Sequence, residues 1–341
     1  MAARDDAALP SDLYGEGEFL ERFESRIAAE LGKEAAVFMP SGTLAQQIAL
    51  RIWCDRARLD TVAMHPLAHP VIHESQSLEF VQRLRVVHAG SRVRLMTVAD
   101  VEALAEPVAA LLVELPQREL GAQLPEWDDL LALVAAARDR GMRLHLDGAR
   151  LWEAAPHYAR PHAEIAAPFD SAYVSFYKGL NAIAGAALAG DAGFVAEARL
   201  WQHRLGGRLV ALYPLALSAQ AGFETHLPRM AQYRELARAV AARLAGIDGV
   251  DVVPDPPPTN TFHLYLRGTL EALTARAGRI ASERGVQAFK RLAPTASPNL
   301  WRWEFVTGEA TTAFEPGEIA EIVRELTAAD VAPEIASTLI R

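Results

Sequence analysis

Cysteine and positive charge are scarce in this sequence. The 341 residues include one cysteine, Cys54, which excludes an internal disulfide and a zinc site of several cysteines and is typical of a reducing compartment. The 43 acidic side chains outnumber the 34 lysines and arginines, so the formal net charge is −9. Because nucleic acids and anionic membranes attract a basic face, we expect neither as a partner.

Long apolar runs are also missing. The longest uncharged stretch, residues 209–223, contains Pro214 and falls short of the roughly 20 residues that cross a membrane. Residues 1–10 hold Arg4, Asp5 and Asp6 and no apolar stretch of signal-peptide length, so we expect no targeting segment and a cytoplasmic location. Apolar residues nevertheless make up 51% of the chain, which is enough for a large core.

What the sequence does contain is an alternation of strands and helices. Val108–Leu115 is almost entirely apolar, as buried parallel strands are. Further strands are predicted over 143–146, 172–176 and 186–189, and amphipathic helices over 19–31, from Ser41 onward and over 124–140. This order predicts an α/β fold with a mostly parallel central sheet flanked by helices, and ligands in such sheets bind outside the carboxyl ends of the strands.

The pattern changes after about residue 225. A helix is predicted over 230–244 and the proline-rich segment 254–258 follows. Strands are then predicted over 261–266 and 301–306, with a last helix over 316–328. This part of the sequence predicts a smaller C-terminal α+β domain.

Three histidines are spaced as metal ligands on one helix face would be. His65, His69 and His73 recur every four residues. Pro66 and Pro70 follow the first two, and a proline inside a helix costs about 3 kcal/mol. We therefore expect neither a continuous helix through the three histidines nor a metal site.

Lys178 is the most informative single residue, since it is the only charge between Asp170 and Asp191. The stretch around it otherwise reads as buried strand, turn and strand. A lysine in such a place either extends its head to the surface or has its pKa lowered by desolvation, as a lysine that forms a Schiff base requires. Both explanations remain open on this residue alone.

Asp147 ends the predicted strand RLHLDGAR, where the small residues Gly148 and Ala149 let a flat ligand approach. A carboxylate there can hold a pyridinium nitrogen protonated, which makes pyridoxal 5'-phosphate (PLP) an electron sink. The alternative is a carboxylate that caps the next helix. His145 either orients Asp147 or is a core histidine.

Ser41, Gly42 and Thr43 open a predicted helix, whose first N–H groups can hold a phosphate. With Asp147 and Lys178 they complete a PLP constellation. The other candidates are Ser175 as a further phosphate contact, His69 to stack on the ring, and Arg150 and Arg302 to hold a substrate carboxylate. A surface ion pair is the alternative role for each arginine.

Several segments together resemble the threonine aldolase and β-eliminating lyase family, which comprises PLP enzymes of fold type I, the aspartate aminotransferase fold. The resemblance extends from about residue 12 to residue 306. The segments that carry it are Asp12–Gly15 (DLYG), Gly32–Thr43 (GKEAAVFMPSGT), His69 followed by Glu74, His145–Arg150 (HLDGAR), Lys178–Leu180 (KGL) and Ala196–Gly207 (AEARLWQHRLGG).

The resemblance implies a role for each candidate. Lys178 would link to the cofactor, Asp147 would pair with its ring nitrogen, and Gly42 and Thr43 would bind its phosphate. His69 would stack on the ring, and Arg150 and Arg302 would hold the substrate carboxylate. The family also implies a homodimer or homotetramer with shared sites, to which Tyr14 and Arg204 of a neighbour would contribute.

The same resemblance implies three divisions of the chain. Residues 1–30 would form an N-terminal segment packed on the small domain or on a partner subunit, 31–225 the large PLP-binding domain, and 226–341 the small domain.

The chain departs from the family mainly around the substrate. The opening D-L-R-S-D-T segment is missing, and the histidine near the substrate hydroxyl is Gln117. The serine before the lysine is Tyr177, and the arginine of the G-G-G-M-R-Q block is lost or moved to Arg208. We keep Gln117 and Tyr14 among the predicted substrate contacts.

The function predicted from these residues is cleavage of the Cα–Cβ bond of a β-hydroxy-α-amino acid, similar to threonine or allo-threonine, to glycine and an aldehyde. Lys178, Asp147 and His69 would be catalytic, with His69 as the base, directly or through water. Two alternatives stay open: another PLP reaction (β-elimination, racemisation or amino transfer), or a protein that keeps the fold but has lost catalysis.

Overall fold

The computed structural model describes residues 11–328. Residues 1–10, on which the expectation of no targeting segment rests, lie outside the described residues. The described chain divides into two compact units. The first runs to Arg234 and includes Pro258–Asn260, and the second comprises Glu235–Pro257 and the chain from Thr261 onward. The predicted domain limits themselves stay a prediction.

The first unit is built on a seven-stranded sheet with the strand order β1-β7-β6-β5-β4-β2-β3. Its strands are β1 (Ala35–Met39), β2 (Thr61–Met64), β3 (Arg85–His88), β4 (Ala110–Glu114), β5 (Arg143–Gly148), β6 (Ser171–Ser175) and β7 (Ala186–Gly190). The pairs from β3 across to β6 are parallel, and β7 is antiparallel to both β6 and β1. The prediction of a mostly parallel central sheet is confirmed.

Helices cover both faces of this sheet. They are α1 (Glu18–Glu30), α2 (Gly42–Ala57), α3 (His69–His73), α4 (Ser77–Phe80), α5 (Val98–Glu102), α6 (Trp127–Asp139), α7 (Leu151–Tyr158), α8 (His162–Ala166), α9 (Ala192–Arg204), α10 (Tyr213–His226) and α11 (Met230–Leu244), within which the division between the units falls. Every helix among the described residues is too short or too polar to serve as a membrane span.

The alternation of side chains along each strand separates two cores. One face of the sheet packs with α2 and α9, as in the cluster of Val37 and Leu188 with Ile48. The opposite face packs with α1, α6 and α10, as in the cluster that includes Phe38 and Leu146. Successive residues of one strand therefore face different helices, as the strand period of two requires.

Helix α1 is amphipathic, and its apolar face lies in the core of the first unit. Phe19, Leu20, Phe23 and Ile27 are buried there. We expected residues 1–30 to form a separate segment on the small domain or on a partner. The apolar stripe of the described part covers β1, and the expected place of the segment on the small domain or on a partner stays a prediction.

The three histidines do not share one helix, as the prolines predict. His69–His73 is one turn of helix, and the rings of these two histidines lie 5.2 Å apart between centroids. Pro70 is tolerated because it lies in the first turn, where its missing N–H has no intrahelical partner to lose. No group of three possible metal-ligating side chains is found in residues 11–328.

The second unit contains a four-stranded antiparallel sheet in the order β10-β11-β9-β8. Its strands are β8 (Val250–Val253), β9 (Thr261–Arg267), β10 (Ala293–Pro294) and β11 (Leu300–Val306), and its further helices are α12 (Leu270–Arg284) and α13 (Pro316–Thr327). Phe262, Leu264 and Val323 belong to its own apolar core. This matches the small α+β domain that the sequence predicts.

The apolar centre of the large sheet carries much of the stability of the first unit. Leu146 on β5 is fully buried, whereas Leu131 on α6 is 38% exposed. We expect Leu146→Ala to lower the free energy of unfolding by about 2–5 kcal/mol and Leu131→Ala to lower it far less. Thermal and denaturant unfolding of the two variants measures this, and equal losses would contradict the assigned packing.

Candidate active site

Three polar side chains form one row across the carboxyl ends of the parallel strands. Glu114 on β4 pairs in register with Asp147 on β5, which pairs with Tyr173 on β6. Residues directly opposite each other on neighbouring strands point to the same face. This row faces the side of the sheet on which Tyr173 packs with α2, so the site lies where the strand pattern placed it.

Asp147 is the most deeply buried carboxylate of this row, with 1% of its surface exposed. Its Oδ1 accepts a hydrogen bond from the Ala149 N–H at 3.1 Å, while its Oδ2 is buried with no hydrogen-bond partner among the described residues. Burial raises its pKa, and Coulombic interaction with His69 and with Lys178 acts in the opposite direction. The free oxygen is therefore a vacant acceptor for a buried N–H.

Gly148 allows the chain to turn close to β6. A Cβ atom at this position would lie 2.6 Å from the Tyr173 carbonyl oxygen, closer than van der Waals contact permits. The small residue after Asp147 is thus required by strand packing, and not only by ligand approach as the sequence suggested.

Lys178 lies three residues beyond the end of β6, and its side chain is partly exposed. Its Nζ lies 4.8 Å from the centroid of the Tyr177 ring. Because its charge is close enough to act on the pKa of Asp147, the structure brings the two key residues of the sequence analysis into one site.

The N-terminus of α2 opens toward the same region. Ser41 is the N-cap residue, and its hydroxyl accepts the Leu44 N–H at 3.3 Å. The N–H groups of Gly42 and Thr43 have no hydrogen-bond partner among the described residues. Unpaired N–H groups and the helix dipole make such an end attractive to a phosphate.

His69 is held by a buried carboxylate. Its Nδ1 donates to Glu74 Oε1 at 2.9 Å, and Glu74 also accepts from the Ser77 hydroxyl at 3.3 Å. This bond fixes the tautomer and leaves Nε2 as the basic ring nitrogen. The pair that the sequence resemblance singled out is therefore in contact.

Glu114 is a carboxylate that the sequence analysis did not include in the site. Its two oxygens accept the main-chain N–H groups of His69 and Arg118 and the side-chain amide of Gln117, at 3.3, 3.2 and 3.0 Å. Burial, and then the negative charge of Asp147, raise its pKa to about 8. Glu114 therefore holds its proton more tightly than an ordinary carboxyl group does.

Gln117, which replaces the family histidine, is buried and points inward. Its amide donates to the Leu67 carbonyl at 3.2 Å as well as to Glu114. Just beyond it, His73 Nε2 lies 2.9 Å from Glu119 Oε1 and 3.1 Å from the Arg118 guanidinium. His73 is thus linked to the two residues that follow Gln117 in the chain.

Ser175 and Arg150, two further predicted site residues, contact other residues close to Asp147 in the chain or in the sheet. Ser175 is fully buried and donates its hydroxyl to the Ala149 carbonyl at 2.7 Å, so its proton is engaged and its predicted phosphate contact remains a prediction. Arg150 is mostly buried, with Nε 3.9 Å from Glu153 Oε1. Its charge also lowers the pKa of Glu114, which places it at the site.

His145 is a core histidine and does not orient Asp147. Its Nδ1 lies 2.8 Å from the Ser171 hydroxyl and its Nε2 2.8 Å from Gln46 Oε1. Ser171 also accepts the Trp53 indole N–H at 2.8 Å, so the hydroxyl proton goes to Nδ1. Burial lowers the pKa of His145 to about 3, and the ring stays neutral.

The candidates for a neighbour's site lie elsewhere in the first unit. Tyr14 is exposed, and its main chain is held by the Val210 carbonyl and by the Arg208 guanidinium. Arg208 also pairs with Glu16 at 2.5 Å, and the exposed Arg204 stacks over Trp201. No hydrogen bond among the described residues joins Tyr14 to Lys178 or Asp147.

Arg302 belongs to the second unit. It lies on β11, where it pairs in register with Tyr265 of β9. Its predicted role as a carboxylate ligand stays a prediction.

Sequence reasoning missed three features of the site, namely Glu114, Tyr173 and the contacts of Tyr177. Glu114 had a usable signal, because it is a lone charge within the apolar run Val108–Leu115, as Lys178 is within its own stretch. Tyr173 had none, since a tyrosine in a buried strand is ordinary.

The chain is similar in fold and in sequence to several known proteins. Two solved structures each superpose with a TM-score of 0.89 over 95% of it. One is a candidate L-allo-threonine aldolase from Listeria monocytogenes EGD-E, 43% identical and covered over 91% of its length. The other is a candidate aromatic amino acid beta-eliminating lyase/threonine aldolase from Exiguobacterium sp. 255-15, 40% identical and covered over 92%. Low-specificity L-threonine aldolase 1 of Arabidopsis thaliana is 23% identical over 82% of this chain and 81% of its own length.

The fold is that of the fold type I PLP-dependent enzymes. The beta-eliminating lyase family model matches residues 1–268, and the chain belongs to that family of PLP-dependent lyases. The resemblance inferred from the sequence is thereby confirmed.

The raised pKa of Glu114 predicts a pH-dependent stability. Because the folded chain holds this proton more tightly than an unfolded one, the contribution is complete below about pH 4.5 and is lost as pH rises toward 8. We expect the wild type to lose stability relative to Glu114→Gln over this range, by on the order of a few kcal/mol.

Denaturant unfolding of both proteins between pH 5 and 9 measures the difference, with the exposed Glu102→Gln as the matched control. Parallel curves for wild type and Glu114→Gln would show that Glu114 is ionised throughout.

Proposed function

We propose that this protein is a PLP-dependent lyase that cleaves the Cα–Cβ bond of a β-hydroxy-α-amino acid, threonine or allo-threonine in type, to glycine and an aldehyde. The observation that carries the proposal is the buried Asp147 with one unpartnered oxygen, close to both Lys178 and His69. The names of its relatives, threonine aldolases of low or allo specificity, support the substrate class.

The residues present fit PLP both at its ring nitrogen and at its phosphate. The free Oδ2 of Asp147 suits the protonated ring nitrogen, and the free N–H groups of Gly42 and Thr43 suit the phosphate. Lys178 is the amine that would hold the aldehyde carbon. When bound, PLP supplies the electron sink for the pair released by the broken bond.

His69 is the residue that we assign to proton removal. Cleavage requires the β-hydroxyl to lose its proton as the aldehyde forms, and the glycine carbon to gain one. His69 presents Nε2 as its free basic nitrogen because Nδ1 is bonded to Glu74. Gln117 has no titratable group and cannot take this role.

Arg150 and Arg302 are proposed to fix the substrate carboxylate. A guanidinium binds a carboxylate through two parallel hydrogen bonds, which orients the bond to be broken. The mostly buried position of Arg150 beside Glu153 supports its part in this.

An oligomer with shared sites and a cytoplasmic location complete the proposal. The exposed apolar side chains Leu13, Tyr14, Leu209 and Val210 support a partner-covered surface, since the two segments are joined through the Tyr14–Val210 hydrogen bond. The lone, buried Cys54 is consistent with a reducing compartment.

Product analysis tests the reaction type. We expect L-threonine or L-allo-threonine to yield equal amounts of glycine and acetaldehyde with the wild type. The family description favours β-elimination as the second candidate, and that reaction would release ammonia and a keto acid instead. Ammonia without glycine would replace the aldolase proposal with the eliminase.

Lys178 is expected to carry the cofactor covalently. Borohydride reduction of the holoenzyme followed by peptide mapping should tag Lys178, and Lys178→Ala should lose its colour on dialysis and its activity by several orders of magnitude. Lys290→Ala is the matched control and should behave as the wild type. A tag on Lys33 or Lys290 would overturn the assignment.

A further inference from the structure

Two tyrosines lie on the segment that runs from β6 to Lys178, and the proposed reaction gives neither of them a role. Tyr173 is 3% exposed on β6, and Tyr177 is 37% exposed directly before Lys178. Their hydroxyl oxygens lie 3.4 Å apart. This distance is at the long limit for O–H···O contacts, so neither phenol proton has a strong acceptor among residues 11–328.

The Tyr173 hydroxyl lies against the start of α2. A Cβ atom at Gly42 would lie 2.0 Å from the Tyr173 oxygen and 2.6 Å from the ring carbon that carries it. Only glycine allows this approach. The phenol oxygen therefore stands beside the two helix N–H groups that have no partner among the described residues.

The Tyr177 ring lies between the same end of α2 and the reactive amine. Its hydroxyl meets that of Tyr173, and its ring face meets Lys178 Nζ, 4.8 Å from the ring centroid. Burial, and then Tyr177, raise the pKa of Tyr173 well above its usual range. Tyr173 thus keeps its proton at neutral pH and is a donor.

We propose that the hydroxyls of Tyr173 and Tyr177 donate hydrogen bonds to the phosphate group of the cofactor, beside the N–H groups of Gly42 and Thr43. The inference rests on the proposed PLP cofactor. A phosphate monoester presents three strong acceptor oxygens and close to two negative charges, more than two N–H groups satisfy. Tyr177 stands where the family has a serine, and the second phenol extends the donor set from the strand.

The experiment compares two forms of the cofactor on apoprotein prepared from the holoenzyme. PLP and pyridoxal differ only in the phosphate, so a phosphate contact affects one and not the other. We expect Tyr177→Phe and Tyr173→Phe each to weaken PLP affinity about 10- to 100-fold and to leave pyridoxal affinity within about twofold. The phosphorus NMR signal of bound PLP should shift in each variant.

Tyr158→Phe is the matched control, because this tyrosine donates to the Pro125 carbonyl at 2.9 Å and takes no part in the site. It should bind both forms as the wild type does. Tyr177 is partly exposed, so its variant keeps the test valid if the buried Tyr173→Phe fails to fold.

Two results would overturn the inference. Unchanged PLP affinity in Tyr177→Phe and Tyr173→Phe would remove the phosphate contact, and an equal loss for PLP and pyridoxal would assign the tyrosines to ring or lysine packing. Failure of the cofactor proposal itself looks different, since the wild type would then bind neither form at Lys178 by borohydride mapping.

Discussion

The site depends on a carboxylate that is buried without being fully satisfied. Removing a charge from water is costly unless the protein or a ligand compensates for it. Asp147 has one oxygen bonded to a main-chain N–H, and its other oxygen has no partner among the described residues. Coulombic interaction with His69 and Lys178 partly offsets its desolvation. A positively charged N–H at that oxygen completes the compensation. On the proposed assignment, the protonated ring nitrogen of PLP and this carboxylate would form one ion pair.

The register of the sheet places the neighbouring polar side chains beside Asp147. Glu114 and Tyr173 stand one strand away on either side of Asp147. Glu114 binds the main chain of His69 and the side chain of Gln117, and Tyr173 lies against the first turn of α2. A change in strand pairing would therefore displace both His69, the proposed base, and the start of α2, the proposed phosphate site.

The sequence was most informative where a charge interrupts an apolar stretch. Lys178 was found on that ground, and Asp147 was found because it ends a predicted strand. The Coulombic effect of Lys178 on the pKa of Asp147 indicates that the two lie near each other. The prolines were informative as well: the helix His69–His73 leaves out His65, and Pro70 and Pro214 both lie in the first turn of a helix, where a proline is tolerated. Contacts such as that of Tyr173 with Gly42 join distant parts of the chain, and no local pattern encodes them.

The hydrogen-bonded chain from Trp53 through Ser171 and His145 to Gln46 has a consequence for how the site responds to acidity. Its imidazole has a pKa of about 3, so across the working range of most enzymes its members neither gain nor lose protons. The strand that bears Asp147 is thus supported by a hydrogen-bonded chain that does not titrate in this range. On the neighbouring strand, burial and the charge of Asp147 raise the pKa of Glu114 to about 8. A change of pH can therefore alter the charge on Glu114 while the protonation of the hydrogen-bonded chain that supports the strand stays the same.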